Sequence, residues 1–212
     1  MKKYEVITNI MKSGIVAVLR SKSQEEAKLV AEACEKGGIK CIEVTFSVPG
    51  ADEVIGKLKN SMGEKCLIGA GTVIDDISAR LAILAGADFI VAPNFSSSVA
   101  MICNTYGIPY IPGCMTINEI VEAMRYGVDI IKLFPANQYN LSIIKSIQAP
   151  IPHINIMVTG GIEESNVKSW INAGAAAVGI GGNLTTLNGE DYSFITENAK
   201  KYINTINSAR SV

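Results

Sequence analysis

The fold is decided by the run Asp76-Ile-Ser-Ala-Arg-Leu-Ala-Ile-Leu-Ala-Gly-Ala-Asp-Phe-Ile-Val-Ala92, in which a helix, a glycine and a strand follow one another. The amphipathic segment Asp76–Leu84 predicts the helix, and Gly86 lies just after it. Glycine can take the left-handed backbone conformation that commonly ends a helix. The apolar run Phe89–Ala92 then predicts a strand, so the stretch indicates a helix that turns tightly into a strand.

The same succession recurs along the chain. A glycine also ends a predicted helix before a strand in Glu35-Lys-Gly-Gly-Ile, Arg125-Tyr-Gly-Val-Asp and Asn172-Ala-Gly-Ala-Ala. The predicted strands are Gly14–Leu19, Cys41–Phe46, Leu67–Ala70, Phe89–Ala92, Pro109–Ile111, Ile130–Phe134, Ile154–Val158 and Ala177–Ile180. Each is followed by a predicted helix: Ser23–Lys36, Ala51–Lys59, Asp76–Leu84, Ser97–Thr105, Ile117–Tyr126, Leu141–Ile147, Glu164–Ala173 and Tyr192–Asn207.

Strands that alternate with helices indicate a parallel sheet. Eight such units most simply close into an α/β fold of the (β/α)8 TIM-barrel type, preceded by a short extra N-terminal helix at about Lys3–Lys12. No linker or low-complexity segment interrupts the chain, so we expect one domain over residues 1–212. The alternative is an open doubly wound sheet, which is disfavoured because no strand leads into a Gly-x-Gly-x-x-Gly loop with a downstream acid.

The composition disfavours several classes of protein. The chain has 212 residues, is 48% hydrophobic and carries a formal net charge of −1, which is typical of a globular domain and disfavours nucleic acid as a partner. Neither a signal-peptide pattern nor an apolar run of about 18 residues occurs, so no membrane partner is expected. Five cysteines without C-x-x-C spacing indicate a reducing, cytoplasmic location. The lone His153 is most simply a loop residue, because one histidine cannot form a multi-histidine metal site.

Polar residues and glycines gather where the predicted strands end. The carboxyl ends of the strands form the active-site face of a (β/α)8 barrel, and the opposite ends show no comparable concentration. This asymmetry favours catalysis over a passive scaffold. The residues concerned are Arg20, Glu43, Thr45, Gly69-Ala-Gly-Thr72, Pro93-Asn94, Pro112-Gly113, Lys132–Pro135, Thr159-Gly-Gly161 and Gly181-Gly-Asn183.

Lys132 and Glu43 are the candidate catalytic pair. Strand periodicity puts Glu43 on the polar face of its strand, away from Ile42 and Val44, and therefore inside the barrel. Lys132 shares a face of its own strand with Ile130, and we expect that face to point into the barrel as well, which brings Lys132 into the interior with Glu43. A buried ammonium is costly unless it is paired or loses its proton, and the neutral amine attacks carbonyl groups. The alternatives are a lysine that reaches solvent and a buried Lys–Glu ion pair.

The last two strand ends predict an anion site. Thr159, Gly160 and Gly161 follow the seventh strand, and Gly181, Gly182 and Asn183 follow the eighth, where barrels of this type often bind phosphate. The alternative is that these glycines only form tight turns. Arg20 can neutralise an anion or lie on a solvated rim, Thr72 can bind a substrate carboxylate, and Trp170 is expected to pack in a helix.

The assembled residues resemble those of a known family. Val-Ala-Val-Leu-Arg20, Ile-Glu43-Val-Thr, Gly-Ala-Gly-Thr72-Val, Ile-Pro-Gly113, Lys132-Leu-Phe-Pro-Ala and Thr159-Gly-Gly occur in the order and spacing of the 2-keto-3-deoxy-6-phosphogluconate / 4-hydroxy-2-oxoglutarate aldolases. The resemblance runs from about residue 14 to residue 184.

The resemblance implies a class I aldolase that uses neither metal nor other cofactor and usually forms a homotrimer. Lys132 is then the Schiff-base lysine, Glu43 the general acid/base and Thr72 a carboxylate ligand. The substrate is a small keto acid, expected to be phosphorylated. The remaining residues assigned to substrate binding are Arg20, Pro93, Phe134, Thr159, Gly160, Gly161, Gly181, Gly182 and Asn183.

The chain departs from the family pattern at Ser47, where some members carry an arginine shortly after the glutamate, and at Val158 and Asn183, where many members have proline and serine. These changes leave open a preference for 2-keto-3-deoxy-6-phosphogalactonate or for unphosphorylated 4-hydroxy-2-oxoglutarate. Two other classes of protein remain as alternatives. One is a phosphate-binding barrel isomerase or synthase in which Lys132 only stabilises negative charge, and the other is a non-catalytic barrel that binds sugar phosphates.

Overall fold

The computed structural model describes residues 2–187 and 191–211. The strands are β1 (Ile15–Leu19), β2 (Cys41–Thr45), β3 (Leu67–Gly71), β4 (Ile90–Val91), β5 (Tyr110–Ile111), β6 (Gly113–Cys114), β7 (Ile130–Leu133), β8 (Asn155–Thr159) and β9 (Ala177–Ile180). The α-helices are α1 (Lys2–Ser13), α2 (Gln24–Lys36), α3 (Ala51–Met62), α4 (Asp76–Leu84), α5 (Ser97–Tyr106), α6 (Ile117–Arg125), α7 (Ser142–Gln148), α8 (Glu164–Asn172), α9 (Gly182–Thr185) and α10 (Ser193–Arg210).

All strands pair in parallel in the order β5-β4-β3-β2-β1-β9-β8-β7-β6. β5 and β6 are two halves of one barrel strand, separated by Pro112. Around it, Gly113 N–H donates to Ala92 O on one side and Lys132 N–H donates to Pro112 O on the other. The sheet therefore closes on itself, which confirms the (β/α)8 barrel and rules out the open doubly wound sheet.

The apolar residues form two layers because the inward and outward faces of each strand alternate. Ile42 and Val44 of β2 belong to the outer layer between strands and helices, whereas Cys41 belongs to the inner layer. On β7, Ile131 is in the outer layer and Ile130 in the inner one.

Helix α1 closes the amino-terminal end of the barrel. Its buried residues Val6, Ile7 and Ile10 belong to the inner layer, together with Val16 of β1 and Ile130 of β7. The short helix predicted before the first strand therefore covers the amino-terminal end of the inner layer and shields it from water. A surface cavity remains at this end between α1 and the starts of β2 and β3, lined in part by Lys12, Cys41 and Leu67.

The helix-ending glycines behave as the sequence predicts. Gly38, Gly86, Gly127 and Gly174 have positive φ values of 98°, 95°, 75° and 111°. In the segment Glu35-Lys-Gly-Gly-Ile, the residue with the left-handed backbone conformation is Gly38, whereas Gly37 ends α2 in a right-handed conformation.

Predicted and observed elements differ at three kinds of place. The predicted strand Pro109–Ile111 continues as β6 beyond Pro112, because proline interrupts the ladder without redirecting the chain. The four-residue α9 and a 3-10 turn at Ala136–Gln138 were not predicted, since elements this short have no periodicity. Other boundaries shift by a few residues, for example at α3, which extends from the predicted end at Lys59 to Met62.

Candidate active site

Lys132 lies on the inner face of β7 and is 3% exposed. Within the described part of the chain, its Nζ forms no ion pair and no hydrogen bond. The contact recorded for the amine is with the ring of Phe134, whose centroid is 5.0 Å away. The inward orientation predicted from the strand pattern is confirmed. The buried Lys–Glu ion pair considered as an alternative is absent between these two described residues.

Glu43 lies on the inner face of β2 and is 1% exposed. Neither carboxylate oxygen has a hydrogen-bond partner in the protein. The carboxylate lies against Gly71 of β3, where a Cβ atom would overlap Oε1. Because buried polar atoms are almost always hydrogen-bonded, two unpaired carboxylate oxygens mark Glu43 as a group suited to a partner from outside the chain.

A cavity of about 300 Å³ opens at the carboxyl ends of four neighbouring strands, β1, β7, β8 and β9. Its walls bring together most of the predicted substrate-binding residues. They are Arg20, Phe134, Thr159, Gly160, Gly161, Gly181, Gly182 and Asn183, with Val18, Ile162 and Gly179 completing the lining. The sequence separates these residues by up to 165 positions, and barrel closure brings them to one place.

Thr159 lies at the inner edge of this cavity. It is 4% exposed, and its Oγ1 has no hydrogen-bond partner in the protein. The hydroxyl lies against Gly179 of β9, where a Cβ atom would overlap it. Thr159 is therefore a second buried polar group that can receive a ligand, in addition to Glu43.

The two glycine loops are tied to each other and to neighbouring segments. The Asn183 side chain donates from Nδ2 to Ile162 O at 2.8 Å, which joins the loop after β9 to the loop after β8. Asn137 N–H donates to Gly160 O at 3.1 Å. Gly160 and Gly161 have positive φ values of 97° and 76°. The cavity wall is thus held by hydrogen bonds between loops rather than by side-chain packing alone.

Thr72 and Pro93 are not among the residues that line this cavity. They follow β3 and β4, on the other side of the barrel mouth. Thr72 has φ 58°, which is rare for a β-branched residue and indicates a strained backbone. Pro93 places its carbonyl against Gly113, where a Cβ atom would overlap it. The predicted site residues therefore divide between two sides of one mouth.

Two hydroxyl groups follow Glu43: that of Thr45 at the end of β2, and that of Ser47 in the turn after it, which is one of the three departures from the family pattern. Thr45 Oγ1 lies 2.8 Å from Leu19 O and 2.6 Å from Ser47 Oγ. Thr45 appeared among the polar strand ends, but its partners could not be predicted because Leu19 lies 26 positions away.

The remaining candidates have structural roles or lie elsewhere. Trp170 is buried on α8, as predicted, and His153 is an exposed turn residue. The five cysteines are buried and free. Burial raises the pKa of the Cys34 and Cys103 thiols to about 12, so these groups are poor nucleophiles at neutral pH. Over residues 2–187 and 191–211, no helix is long and apolar enough to cross a lipid bilayer.

This arrangement suits carbonyl chemistry. An amine without an ion-pair partner can attack a carbonyl carbon, and a carboxylate across the barrel can accept or return a proton. Lys132 and Glu43 are not among the residues that line the cavity, but Phe134, which contacts the Lys132 amine, is one of them. The cavity is polar where the glycine loops supply backbone N–H groups and apolar at Phe134. A ligand with a ketone at one end and an anion at the other fits both features.

Comparisons with known proteins support the same carbonyl chemistry. A family model for KDPG and KHG aldolase matches residues 6–198. The 2-dehydro-3-deoxy-6-phosphogalactonate aldolase of Escherichia coli (strain K12) is 32% identical over 174 residues, which are 82% of this chain and 85% of that protein. The 2-dehydro-3-deoxy-phosphogluconate aldolase of Treponema pallidum (strain Nichols) is 33% identical over 158 residues, or 74% of this chain and 75% of that protein.

A solved structure adds a chemical parallel. It is that of the KDPG aldolase from Legionella pneumophila with pyruvate captured at low pH as a covalent carbinolamine intermediate. This structure superimposes with a TM-score of 0.84 at 30% identity and covers 90% of this chain and 94% of that one. A carbinolamine forms when an amine adds to a ketone, which is the chemistry that a lysine without an ion-pair partner allows.

Proposed function

The chain belongs to the KDPG and KHG aldolase family and is a carbon–carbon lyase, and we propose that Lys132 and Glu43 perform its chemistry on a 2-keto-3-deoxy-6-phospho sugar acid. The products are pyruvate and glyceraldehyde 3-phosphate. The observation that carries the proposal is that a buried lysine without an anionic partner faces the same barrel interior as a carboxylate with two unpaired oxygens.

The reaction begins at Lys132. Its unprotonated amine attacks the C2 ketone of the substrate and forms a carbinolamine, which loses water to give a protonated imine. Phe134 lies beside the amine and shields this step from bulk water. The imine then withdraws electrons from the neighbouring carbon–carbon bond.

Glu43 moves the proton that cleavage requires. The Glu43 carboxylate takes the proton of the C4 hydroxyl, and the C3–C4 bond breaks. The electron pair of that bond passes into the imine and gives an enamine. The aldehyde leaves. Protonation of the enamine at C3 and addition of water at C2 then release pyruvate and return the free amine of Lys132. General acid–base catalysis of this kind contributes roughly 10²–10⁴-fold to the rate.

We assign the distal phosphate to the cavity between the last two strand ends. Gly160 and Gly161 let the backbone approach an anion closely, and the N–H groups of Gly182 and Asn183 begin α9 without an acceptor inside that helix. The exposed guanidinium of Arg20 lies beside Gly181 and supplies the positive charge. Because the Asn183 amide already donates to Ile162 O, its backbone N–H is the better phosphate donor.

The remaining polar side of the mouth is assigned to the carboxylate of the pyruvate half. Thr72 is half-buried after β3 and held at φ 58°, a strain that a fold retains when a side chain must point to a ligand. Pro93 forms the neighbouring wall. The substrate then spans the mouth, with its carboxylate near Thr72, its ketone at Lys132 and its phosphate at the glycine loops.

We further propose that the chain assembles as a homotrimer through the outer faces of α4 and α5. These two neighbouring helices expose several large apolar side chains, and an exposed apolar surface of this kind is typical of an interaction site. The patch, called the α4–α5 face below, comprises Ile74, Ile77, Leu81, Leu84, Met101 and Tyr106. Arg80 of α4 lies over the ring of Tyr106 of α5 at 4.0 Å, which links the two helices.

A pyruvate-release assay coupled to lactate dehydrogenase tests the proposed function. We expect cleavage of the phosphogluconate- or phosphogalactonate-type acid with a higher kcat/KM than that of 4-hydroxy-2-oxoglutarate. Sugar-acid binding without pyruvate release contradicts cleavage and favours the non-catalytic barrel. The phosphogalactonate-type acid is included in the assay because the E. coli relative is named as an aldolase of that acid.

A further inference from the structure

A second cavity, of about 420 Å³, lies at the amino-terminal end of the barrel, opposite the proposed active site. Three segments converge on it: the last turn of α1, the start of β2, and the turn that leads from α3 into β3. Its volume is within the range of small-molecule sites, which is roughly 300–1,000 Å³. This cavity is called the amino-end cavity below, and its lining includes Lys12, Lys40, Cys41, Glu64, Lys65 and Cys66.

The pairing of β2 with β3 brings two of these lysines to one rim of the cavity. Cys41 and Leu67, the first residues of the two strands, are Cα partners, and Leu67 N–H donates to Lys40 O at 2.8 Å. Lys40 and Lys65 each precede this paired position by one or two residues. Because the two strands are parallel neighbours, both ammonium groups belong to the same side of the amino-end cavity.

The end of α1, which supplies the third lysine, is held in place by backbone contacts. Arg210 donates to Lys12 O at 2.8 Å and to Ala176 O at 2.6 Å, which ties α1 to α10 and to the segment before β9. Ser13 Oγ donates to Ile15 O at 3.0 Å. The wall formed by α1 is therefore in position before a ligand arrives.

The amino-end cavity carries a surplus of positive charge. Lys12, Lys40 and Lys65 line it, and Glu64 is the one carboxylate among its lining residues. Over residues 2–187 and 191–211, none of the three ammonium groups forms an ion pair or a hydrogen bond. Three positive charges against one negative charge leave a surplus of two.

The buried carboxylate that lies closest in the sequence to these strands is already occupied. Asp88 accepts from Lys59 Nζ at 2.7 Å and from Ile68 N–H at 2.9 Å. It therefore does not neutralise the lysines of the amino-end cavity, and a ligand can supply the missing negative charge.

We propose that the amino-end cavity binds a small organic dianion, either a dicarboxylate or a phosphate monoester. The two negative charges match the surplus of the lining lysines. The carbon skeleton lies against Cys41 and Cys66, which are buried and uncharged, because burial raises the pKa of their thiols to about 12 and about 11. A dianion bound here joins α1 to the starts of β2 and β3 and stabilises the folded chain.

The test titrates the full chain by calorimetry with succinate, a dicarboxylate, and separately with glycerol 3-phosphate, a phosphate monoester. At least one of them binds, the one that does identifies the class of ligand, and its affinity falls as salt is added. In Lys40→Gln/Lys65→Gln its Kd rises by roughly tenfold, because two partly solvated charge-assisted contacts are lost. Pyruvate-release activity of this variant stays at the wild-type value, since both lysines lie at the end of the barrel opposite the active site.

Lys145→Gln/Lys168→Gln is the matched control, because these are exposed lysines of α7 and α8 that do not line the cavity. Its Kd stays at the wild-type value. An equal rise of Kd in both double variants indicates attraction by net charge alone and overturns the site.

Arg20→Gln separates the amino-end cavity from the glycine loops. Binding that is lost in Arg20→Gln but kept in Lys40→Gln/Lys65→Gln belongs to the active site and overturns the proposal, as does a wild type that binds neither probe. These outcomes do not depend on the aldolase proposal, which the pyruvate-release assay tests separately.

Discussion

At the scale of single residues, the site depends on two buried ionisable side chains that do not pair with each other. Lys132 and Glu43 each lie on the inner face of a strand, on β7 and β2. A buried ion pair would satisfy both groups but would occupy the amine and the carboxylate. Leaving them apart costs stability and keeps both available to a substrate, which is a common compromise at functional sites.

Replacing Glu43 with glutamine separates imine formation from cleavage. Glutamine keeps the size and the hydrogen-bonding capacity of the side chain but cannot accept the C4 hydroxyl proton. We expect Glu43→Gln to bind pyruvate as an imine at Lys132 while turnover of the sugar acid falls by roughly 10²–10⁴-fold. Steady-state kinetics and mass spectrometry after reduction measure the two effects.

Glu122→Gln is the control for this substitution. Glu122 is a half-buried residue of α6 whose partner is Arg125 at 3.2 Å, so its loss removes a pair near the surface that has little energetic value. Turnover in Glu122→Gln should match the wild type. Normal turnover in Glu43→Gln would remove Glu43 from the mechanism.

At the scale of secondary-structure elements, the helix-ending glycines are the strongest local signal in the sequence. Gly86 and Gly127 have the positive φ values that the phrases around them predict, and α4 has its predicted bounds. A glycine that ends a helix depends only on its neighbours in the chain, so the sequence alone predicts its position. The split strand around Pro112 and the short α9 were not predicted, because pairing across the sheet and loop contacts define them.

Because α1 covers the end of the barrel opposite the site, we expect substitutions in its buried face to lower stability without a direct effect on catalysis. Ile10 is fully buried in the inner layer at the end of the barrel opposite the site. Truncation to alanine leaves a cavity there, and we expect Ile10→Ala to lower the free energy of unfolding by about 2–5 kcal/mol. Urea unfolding measures this loss, and kcat at a temperature where the variant is folded should stay near the wild-type value.

A conservative change calibrates that result. Ile10→Val removes one methyl group and should cost about 0.5–1.5 kcal/mol. Equal, negligible losses in both variants would show that α1 does not close the barrel in solution.

At the scale of the whole molecule, barrel closure explains why the sequence predicts the members of the site better than their arrangement. Arg20 and Asn183 line one cavity although they come from the two ends of the chain. The (β/α)8 pattern predicts that strand ends meet at one face. It does not indicate that Thr72 lies across the mouth from the glycine loops, because that depends on the position of each strand around the ring.

The α4–α5 face predicts an oligomer that a single charge can disrupt. Ile77 is 71% exposed in the chain taken alone. Burying a glutamate in an apolar interface is costly, so Ile77→Glu should shift the mass measured by light scattering from a trimer toward a monomer. Phe194→Glu is the control, since Phe194 is 43% exposed but lies on α10. A trimer that persists in Ile77→Glu, or a wild type that is monomeric, would contradict this interface.

The central claim is that Lys132 is the nucleophile, and trapping its imine is the most direct measurement. Incubation with pyruvate and borohydride reduces an imine to a stable secondary amine. Peptide mass spectrometry should then find one three-carbon adduct, on Lys132, together with irreversible loss of aldolase activity that neither reagent causes alone. An adduct on another lysine, or full activity with no adduct, would contradict the account.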